Sequence, residues 1–508
     1  MDRAEAGRIP VIVGVGQVND RAETGHAGLD SLELMLAAAR AAGTDAGGDV
    51  LARVDWLGIV SQISFPAYGG QLVRLVSDGL GIRPEQARET PLPTGDSPLL
   101  LLHEAANAIG QGQAQVALIT GGEALRTASR RAAEAAAAAG GAPARRGPLP
   151  ASQPAVLETR HRYGLKTPSD VYPLFENAAR AAYGQTLAEA QAETGRIWQA
   201  FSRVAAANEA AWLRKPHTAA EIMTPSPQNR PIAFPYSKLM VANAAVNQGA
   251  AIIVTSLAVA QAAGIPPDRL VFIGPGAAAH EDDNPLLRPH FDRSASMKIS
   301  LEQTLALNRI AADDIDHVEL YSCFPCVPKM ARRILGLPDD RPLSVFGGLT
   351  FGGGPIGNYM THAVASMVAA LRRSGRHGLL FANGGFATHN HTILLTRSPQ
   401  SAGIFPQAFD FQAEADRERG TVPVLDETYT GPAIIETYTV IHDRDGQPEF
   451  GVIIGRTPDG RRTIGRVPAT DGITLHLLTS GEREPVGLAG FVSEDADGNR
   501  WQMAPPGV

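Results

Sequence analysis

Cysteine is scarce in this 508-residue sequence, which contains only Cys323 and Cys326. Two cysteines so close together cannot form the disulfide framework of a secreted protein, and they indicate a reducing compartment. The sequence also lacks an apolar run of about 18 residues, the length that a membrane-spanning helix needs. Its first residues, MDRAEAGRIPVIVGVG, contain no apolar run of the length expected in a signal peptide. We therefore expect a cytoplasmic protein that does not enter a membrane.

Charge of either sign is also limited. Charged residues make up 19% of the sequence and the formal net charge is −7, without the basic cluster that a nucleic-acid-binding protein needs. Hydrophobic residues make up 44%, enough for large cores. The length predicts about two to four domains. These totals favour a globular protein and argue against nucleic acid as a partner.

Segments typical of strands and helices alternate through most of the chain. Ile9–Val15 and Val54–Ser61 have the apolar pattern of buried strands, and Leu29–Ala42 has that of an amphipathic helix. Asp96 is well placed to cap a further helix, which leads to the strand Val116–Thr120. Strands that alternate with helices predict a mainly parallel sheet.

Two parts of the chain depart from this alternation. Ala132–Pro154 is rich in alanine, then in glycine and proline, and this predicts a flexible surface insertion. After Arg397, short apolar segments separated by DRDGQP and PDGR turns predict a small all-β domain with an OB-like barrel. We expect an N-terminal half in 1–130 and 241–265, a loop domain with the insertion in 131–240, a C-terminal half in 266–397, a linker in 398–428 and the β domain in 429–508.

One pattern occurs twice. Gly95 precedes a helix that carries His103, and the strand after it ends at Gly121-Gly122. Gly354 precedes a helix that carries His362, and the strand after it ends at Gly384-Gly385. The repeated order of turn, helix, strand and glycine pair indicates a duplicated α/β core. We expect His103 and His362 to be hydrogen-bonded core or interface residues.

The second copy lies in a glycine-rich segment, residues 345–391, which reads VFGGLTFGGGPIGNYMTHAVASMVAALRRSGRHGLLFANGGFATHNH. Glycine lets the backbone adopt a positive φ and approach a ligand closely. A turn that opens a helix also presents free N–H groups and the positive end of the helix dipole. We expect any chemistry to be organised around this segment.

With these parts placed, residues 8–397 resemble the thiolase superfamily, and most of all the sterol-carrier-protein-type thiolases and thiolase-like proteins with an extra C-terminal domain. The resemblance implies two similar halves packed in α-β-α-β-α layers. It implies four catalytic loops, which carry a nucleophilic cysteine, an Asn-Glu-Ala-Phe or His-Asp-Cys-Phe motif, a Gly-His-Pro motif and a Cys-X-Gly motif. The C-terminal domain is also similar to the OB-fold partner proteins of some bacterial thiolase-like enzymes.

The catalytic loops depart from the family pattern. PLPTGDSPLLLLHEA matches the first loop and has Leu92 at the position of the cysteine, while the second loop reads Tyr321-Ser322-Cys323-Phe324. The third reads Gly353-Gly354-Pro355, with Gly354 at the position of the histidine base, and the fourth reads Asn383-Gly384-Gly385. Leucine cannot carry an acyl group and glycine cannot move a proton, so we expect no ordinary thiolysis.

The resemblance implies an acyl-CoA acyltransferase-like protein of lipid metabolism, with a CoA thioester as ligand and no other cofactor. The residues predicted to contact this ligand are Leu92, Gly353, Gly354, Asn383, Gly384 and Gly385. Two alternatives stay open: a retro-aldol-type lyase that acts on β-hydroxyacyl-CoA, and a non-catalytic acyl-CoA-binding or docking scaffold. A homodimer, or a protein partner bound through the C-terminal domain, is also open.

Three side chains are the candidates for residual chemistry. Tyr321 ends a strand at a family active-site position, where it would act as acid or base or would only pack. Cys323 begins a Cys-x-x-Cys motif, where it would have a lowered pKa at a helix N-terminus or would be structural. His389 shares one strand face with His391 and would replace the lost base or lie at a polar rim. No second cysteine pair or nearby carboxylate exists in the sequence, so we expect no metal site.

Overall fold

The computed structural model describes residues 3–21, 28–140, 159–496 and 498–504. Among them, the helices are α1 (Arg3–Ala6), α2 (Ser31–Ala46), α3 (Leu72–Leu80), α4 (Ser97–Gln111), α5 (Leu125–Ala138), α6 (Pro168–Ala182), α7 (Leu187–Ala207), α8 (Ala219–Met223), α9 (Leu257–Ala262), α10 (Ala295–Asn308), α11 (Cys326–Ile334), α12 (Tyr359–Arg373), α13 (Gln412–Arg419) and α14 (Gly472–Thr479). The strands are β1 (Pro10–Asn19), β2 (Trp56–Val60), β3 (Gln86–Glu89), β4 (Val116–Ala124), β5 (Pro231–Ala233), β6 (Tyr236–Ser237), β7 (Asn247–Ser256), β8 (Val271–His280), β9 (His317–Leu320), β10 (His377–Gly384), β11 (His389–Thr396), β12 (Gly431–His442), β13 (Pro448–Arg456), β14 (Arg462–Pro468), β15 (Ala489–Asp495) and β16 (Gly498–Met503).

A nine-stranded sheet with the order β3-β2-β4-β7-β1-β8-β11-β10-β9 forms the body of the protein. Its two halves repeat the same arrangement. In the first, β2 is parallel to β4, β4 is antiparallel to β7, and β7 is antiparallel to β1. In the second, β9, β10, β11 and β8 pair in the same order and the same directions. The halves meet where β1 pairs with β8, which confirms the predicted duplication.

The prediction of a mainly parallel sheet is wrong, because the sheet is mixed. Its central strands, β7, β1, β8 and β11, pair only antiparallel to their neighbours. The sequence shows the reason in one place: β10 and β11 are joined by the short turn 385–388, and a connection without a helix returns the chain antiparallel. In the first half, the corresponding antiparallel strands β4 and β7 are instead separated by the long segment 125–246, which contains helices α5 to α8.

The repeated helices α4 and α12 lie at the centre of the body. They contact each other, and both contact strands of the two halves. Met360, Ala363 and Val364 of α12 are fully buried, as are Leu101 and Leu102 of α4. An apolar surface on nearly all sides suits a helix between two layers rather than a helix at the surface. The two turns that open α4 and α12 are thereby held inside the molecule.

The C-terminal part is a small β-barrel, as predicted. Strands β12, β13, β14, β16 and β15 pair in that order, and β12 closes the barrel because it pairs with both β13 and β15. Helix α14 lies between β14 and β15 in the chain. Trp501 and Tyr438 are fully buried in the barrel's core.

The barrel packs tightly on the body. Thr437 Oγ1 donates to the Leu174 carbonyl (2.5 Å), and Asn177 Nδ2 donates to the Tyr438 carbonyl (2.9 Å). Val452 and Ile454 of β13 belong to the main hydrophobic core. The hairpin of β5 and β6 also extends the barrel's sheet at β12.

Two further segments differ from the sequence-based expectation. The alanine-rich beginning of the expected insertion is helical, because α5 continues to Ala138, while residues 141–154 lie outside the described ones. Alanine is the best helix former, which explains why this part is ordered. The expected linker contains helix α13, whose Ala415 is fully buried. No helix in the described part of the chain has the length and apolar character that crossing a membrane requires.

Candidate active site

The first, second and fourth of the predicted loops meet at Gly95, directly before α4. A Cβ atom built on Gly95 would lie 2.2 Å from the Asn383 carbonyl oxygen and 2.5 Å from the Tyr321 hydroxyl oxygen. A Cβ atom on Gly384 would lie 3.1 Å from the Gly95 nitrogen. No side chain fits at either position, so glycine is what allows these loops to approach one another. The third loop reaches the same place through Gly357, which packs against Pro93.

Asp96 adds a carboxylate to this meeting point. It occupies the N-cap position of α4, but its side chain makes no capping hydrogen bond, and the prediction that it caps the helix is wrong. Ser97 Oγ instead accepts from the Thr94 N–H (3.1 Å). Oδ1 of Asp96 is buried without a hydrogen-bond partner among the described residues, and a Cβ atom on Gly384 would lie 2.7 Å from it.

Tyr321, the predicted acid or base, lies at the same meeting point as this carboxylate. The residue follows β9 and is 6% exposed, and its ring meets that of Tyr359 edge-on at 5.6 Å. Burial raises the pKa of Tyr321 well above its usual value, and the charges of Cys323 and Asp96 raise it further. Tyr321 is therefore protonated at neutral pH and can donate a hydrogen bond or a proton.

The two cysteines do not have the environment of a nucleophile. Both are buried, and burial raises the pKa of Cys323 to about 12 and the pKa of Cys326 well above its usual value. The lowered pKa considered for Cys323 is therefore wrong. The reason is that α11 begins only at Cys326, so the Cys323 thiol is surrounded by buried groups and does not lie at the helix N-terminus.

The third loop forms a single turn of π-helix, Gly348–Gly352, between Gly347 and Gly353, whose φ angles are 113° and 106°. A Cβ atom on Gly353 would lie 2.0 Å from Gln248 Oε1, so that position requires glycine for both space and conformation. Gly354 donates its N–H to the Asn243 carbonyl (2.9 Å).

The segment Ala242-Asn243 lies against both the third and the second loop, which also meet directly where the Leu349 N–H donates to Ser322 Oγ (3.3 Å). The Ala242 N–H donates to the Cys323 carbonyl (3.0 Å), and the Asn243 N–H donates to the Leu349 carbonyl (3.0 Å). The atoms nearest to Cβ positions built on Gly353 and Gly354 belong to Gln248, Asn243, Leu349 and Ala242 rather than to Gly384.

The fourth loop is supported by a tyrosine of the loop domain. The Tyr172 hydroxyl lies 3.1 Å from both Asn383 Oδ1 and the Gly385 carbonyl, and it accepts from the Ala387 N–H (2.9 Å). The Tyr172 ring stacks on Phe324 with centroids 4.4 Å apart. One side chain thus joins the second and fourth loops to α6. Sequence patterns do not reveal this contact, because Tyr172 lies far from both loops in the chain.

The three predicted histidines of this region have different surroundings. His389 is partly exposed beside the fourth loop, with Nε2 at 3.6 Å from Asp283 Oδ1. His391 is buried and its Nε2 lies 3.2 Å from Nδ1 of His103, whose Nε2 lies 2.7 Å from Gln407 Oε1. His389 and His391 therefore do not form a pair, although they follow each other on one strand face. In the described ranges, no group of three His, Cys, Asp or Glu side chains is arranged to bind a metal.

His103 has the hydrogen-bonded core position that we predicted. His362 has it only in part: Nδ1 lies 2.9 Å from Gln17 Oε1, whereas Nε2 is buried without a partner in the described part of the chain. Burial lowers the pKa of His103 to about 4 and that of His362 to about 3, so both rings are neutral near pH 7.

Taken together, the site offers a protonated tyrosine, an unpartnered carboxylate oxygen and close-packed glycine turns at the start of α4. Leu92 begins the first loop: its carbonyl accepts from the Thr94 N–H (3.0 Å). Sequence reasoning missed the roles of Asp96, Tyr172 and Asn243. For Asp96 the sequence contained an indication, since an acidic residue directly after the Gly95 turn is as consistent with an active-site carboxylate as with a helix cap.

Comparison with known proteins places this duplicated α/β body with five-stranded barrel in a family. A solved structure of a monomeric SCP2-thiolase-like protein type 1 from Mycobacterium smegmatis is 30% identical, with a TM-score of 0.81, over 98% of this chain and 100% of that one. The family model "Thiolase-like protein type 1 additional C-terminal domain" matches residues 410–497. The chain therefore belongs to the thiolase superfamily, in its group of SCP2-thiolase-like proteins of type 1 with an additional C-terminal domain.

More distant structures share the fold of the body. The Ltp2-ChsH2(DUF35) aldolase matches with 19% identity and a TM-score of 0.60, over 77% of this chain and 98% of that chain. Human mitochondrial 3-ketoacyl-CoA thiolase in complex with CoA matches with 16% identity and a TM-score of 0.56, over 78% of this chain and 99% of that chain. No curated protein matches the chain in sequence.

Proposed function

We propose that this protein binds acyl-CoA thioesters in a thiolase-type site that does not perform thiolysis. The observation that carries the proposal is the content of the loops around Gly95. The positions of the thiolase nucleophile and base hold Leu92 and Gly354. Thiolysis needs a thiolate that accepts the acyl group and a base that activates it. The buried thiols of Cys323 and Cys326, with their raised pKa values, do not replace them.

The backbone of the site supports retained binding. The glycine turn at Gly95 opens α4, and the turn at Gly384 packs against it. N–H groups at a helix start favour a developing or partial negative charge, such as a thioester oxygen. A thiolase with this fold, the human 3-ketoacyl-CoA thiolase, is known in complex with CoA. Leu92, Gly353, Gly354, Asn383, Gly384 and Gly385 stay the predicted ligand contacts.

Calorimetric titration with CoA and with acyl-CoAs of increasing chain length tests binding directly. We expect saturable binding that is tighter for acyl-CoA than for CoA, because the acyl group adds apolar contact. Gly384→Ala should abolish the preference for acyl-CoA over CoA, since a Cβ atom at this position would collide with Asp96 Oδ1. If neither CoA nor acyl-CoA gives heat on titration, and acyl-CoA does not compete with CoA, only a scaffold function remains for the fold.

A second candidate, a retro-aldol-type lyase, is favoured by the place of Tyr321 and Asp96, which both lie where Gly95 meets Gly384. In this reaction, the Asp96 carboxylate would take the proton of the β-hydroxyl group, and the bond between the α- and β-carbons would break. Its electrons would form a thioester enolate, which Tyr321 would protonate at the α-carbon, releasing an acyl-CoA and an aldehyde or ketone. The fold match to an aldolase agrees with this candidate at the level of the scaffold.

Variants of these two residues test the lyase. We expect Tyr321→Phe and Asp96→Asn each to reduce carbonyl release from β-hydroxyacyl-CoA by about 100-fold, the usual contribution of an acid or base. Tyr163→Phe is the matched control, since the Tyr163 hydroxyl is also buried but accepts from the Asn499 N–H at the barrel (2.9 Å). Release that is unchanged in Tyr321→Phe would exclude the lyase role of this tyrosine.

We also propose that the protein is a monomer with an OB-like barrel as a built-in domain. The strand order of the barrel, with a parallel pair β14–β16 and a helix before β15, supports the OB-like assignment. The outer edges of the large sheet are the four-residue strands β3, with Gln86 and Arg88 exposed, and β9, and short edge strands oppose pairing with a second sheet. The relative from Mycobacterium smegmatis is described as monomeric. Sedimentation should give about the chain mass of 53.5 kDa, and a species of twice that mass would contradict the proposal.

A further inference from the structure

A cavity of about 390 Å³ lies away from the four loops, between the segment that follows β8 and helices α10, α11 and α13. We call it the basic pocket. The segment Glu281–Lys298 supplies most of its lining, Met330 and Arg333 come from α11, and Arg419 comes from α13. Its volume is in the range of sites that hold small organic ligands.

Basic side chains dominate the lining: Arg288, Arg293, Lys298, Arg333 and Arg419. The acidic ones are Glu281, Asp292 and Glu418. Each acid already has partners within the protein. Glu281 accepts from Ser294 and Ser296, Glu418 pairs with Lys298 (2.8 Å), and Asp292 pairs with Arg293 (3.5 Å). The lining therefore holds five basic and three acidic side chains, and Arg419 and Arg333 also have acidic partners, Glu281 (3.1 Å) and Glu193 (2.8 Å).

Arg288 gives the second, independent indication of a ligand. Its side chain is buried, with 3% of the residue exposed, and its guanidinium lies 5.1 Å from the Phe175 ring centroid. Nη2 donates to Thr388 Oγ1 (3.0 Å), but Nε is buried without a hydrogen-bond partner among the described residues. A buried guanidinium N–H without an acceptor is costly, so a ligand that brings an oxygen acceptor to Nε would be stabilised here.

We propose that the basic pocket binds the phosphate group of a small ligand. Guanidinium groups match phosphate because their donors fit two phosphate oxygens at once, and several cations can share a divalent charge. Arg288 supplies the buried donor, while Arg293 and Lys298 supply charge at the partly exposed rim. The remaining volume has room for the organic group that carries the phosphate.

The pocket is connected to the candidate active site. Arg288 donates a hydrogen bond to Thr388 Oγ1. The same Oγ1 accepts from the Phe386 N–H (3.2 Å), and the Thr388 N–H donates to the Gly384 carbonyl (2.9 Å). A phosphate held by Arg288 would thus fix the turn of the fourth loop. Two sources share the phosphate chemistry: a CoA thioester, which carries phosphates, and a separate phosphorylated metabolite.

Titration of the full chain with inorganic pyrophosphate at low ionic strength tests the pocket without reference to the proposed function. We expect saturable binding, weakened about tenfold by Arg293→Glu. Arg74→Glu is the matched control, since the two side chains are 62% and 64% exposed and each pairs with one aspartate, at 3.7 Å and 3.5 Å. The control should change the affinity less than twofold. Arg288→Lys should weaken pyrophosphate binding as well. If this buried substitution disturbs folding, Arg293→Glu at the surface still tests the pocket.

Competition identifies the source of the phosphate. If pyrophosphate displaces CoA, the pocket holds the phosphates of the thioester; if both bind together, it holds a separate metabolite. Either result supports the pocket, provided that Arg293→Glu weakens pyrophosphate binding. Absence of pyrophosphate binding, or equal binding by Arg293→Glu and the wild type, would overturn the inference. Failure of acyl-CoA binding with intact pyrophosphate binding would instead refute only the proposed function.

Discussion

Glu319 shows how single residues set the shape of the glycine-rich segment. It is completely buried on β9, and it accepts from the Tyr359 hydroxyl (2.6 Å), the Val345 N–H (2.8 Å) and Ser344 Oγ (2.9 Å). The carboxyl therefore holds the start of the third loop, and it also holds the tyrosine that packs edge-on against Tyr321. Burial raises the pKa of Glu319 to about 7, although these donors act in the opposite direction.

This pKa predicts a pH dependence of stability. The unfolded carboxyl titrates near pH 4.5 and the folded one near pH 7, so the folded state binds more protons in between. The free energy of unfolding should fall as the pH rises through this window, by on the order of 3 kcal/mol at most. Glu319→Gln removes this titration and should be more stable relative to the wild type at pH 7.5 than at pH 4.5.

Thermal denaturation at a series of pH values measures this difference. Glu302→Gln, which removes a partly exposed carboxylate on α10, should follow the wild-type profile. Parallel profiles of Glu319→Gln and the wild type would show that the carboxyl does not change its protonation in this range.

At the scale of elements, Arg462 fixes the barrel to the body. This fully buried residue of β14 pairs through Nε and Nη2 with both oxygens of Glu436 (2.9 Å and 2.6 Å). Its Nη1 donates to the carbonyls of Leu286 (2.6 Å) and Arg288 (2.5 Å) in the body. All three nitrogens of Arg462 thus donate hydrogen bonds: Nε and Nη2 to Glu436 of the barrel, and Nη1 to two carbonyls of the segment that lines the basic pocket.

Removing one partner of such a buried pair leaves an uncompensated charge. We expect Arg462→Met to lower the free energy of unfolding by about 3–5 kcal/mol. Arg456→Met is the control: Arg456 also pairs with Glu436 (2.9 Å), but its side chain is 30% exposed, so a loss of about 1 kcal/mol or less is expected. Denaturant titration compares the variants, and equal losses would contradict the role assigned to Arg462.

The sequence predicted several of these elements and missed others for physical reasons. The helices and strands follow apolar periodicity, which local sequence reveals. Strand direction in the sheet does not, because it depends on connections such as the short turn between β10 and β11. That the Asp96 side chain does not cap α4 is hidden from local sequence for a similar reason. Helix caps and active sites use the same residue types. Only the close approach of Gly384 to Asp96 distinguishes the two possibilities here.

For the whole molecule, the duplication could be predicted because it is written as a repeated pattern around His103 and His362. The packing of the barrel on α6 could not, since it depends on contacts such as that of Asn177 with the Tyr438 carbonyl, far apart in the chain. The contact of Tyr172 on α6 with the fourth loop is hidden from sequence reasoning in the same way. The resemblance to a family identified the four loops in the sequence, and the structure identified the residues that connect them in space.

The central claim is that a thiolase-type site binds acyl-CoA without covalent acyl transfer. Intact-mass spectrometry of the full chain after incubation with acetoacetyl-CoA and CoA tests it most directly, with product formation followed in the same samples. The account predicts an unchanged protein mass and no acetyl-CoA above the background reaction, at concentrations where calorimetry shows binding. An acetylated protein, or acetyl-CoA formed at rates typical of thiolases, would contradict it.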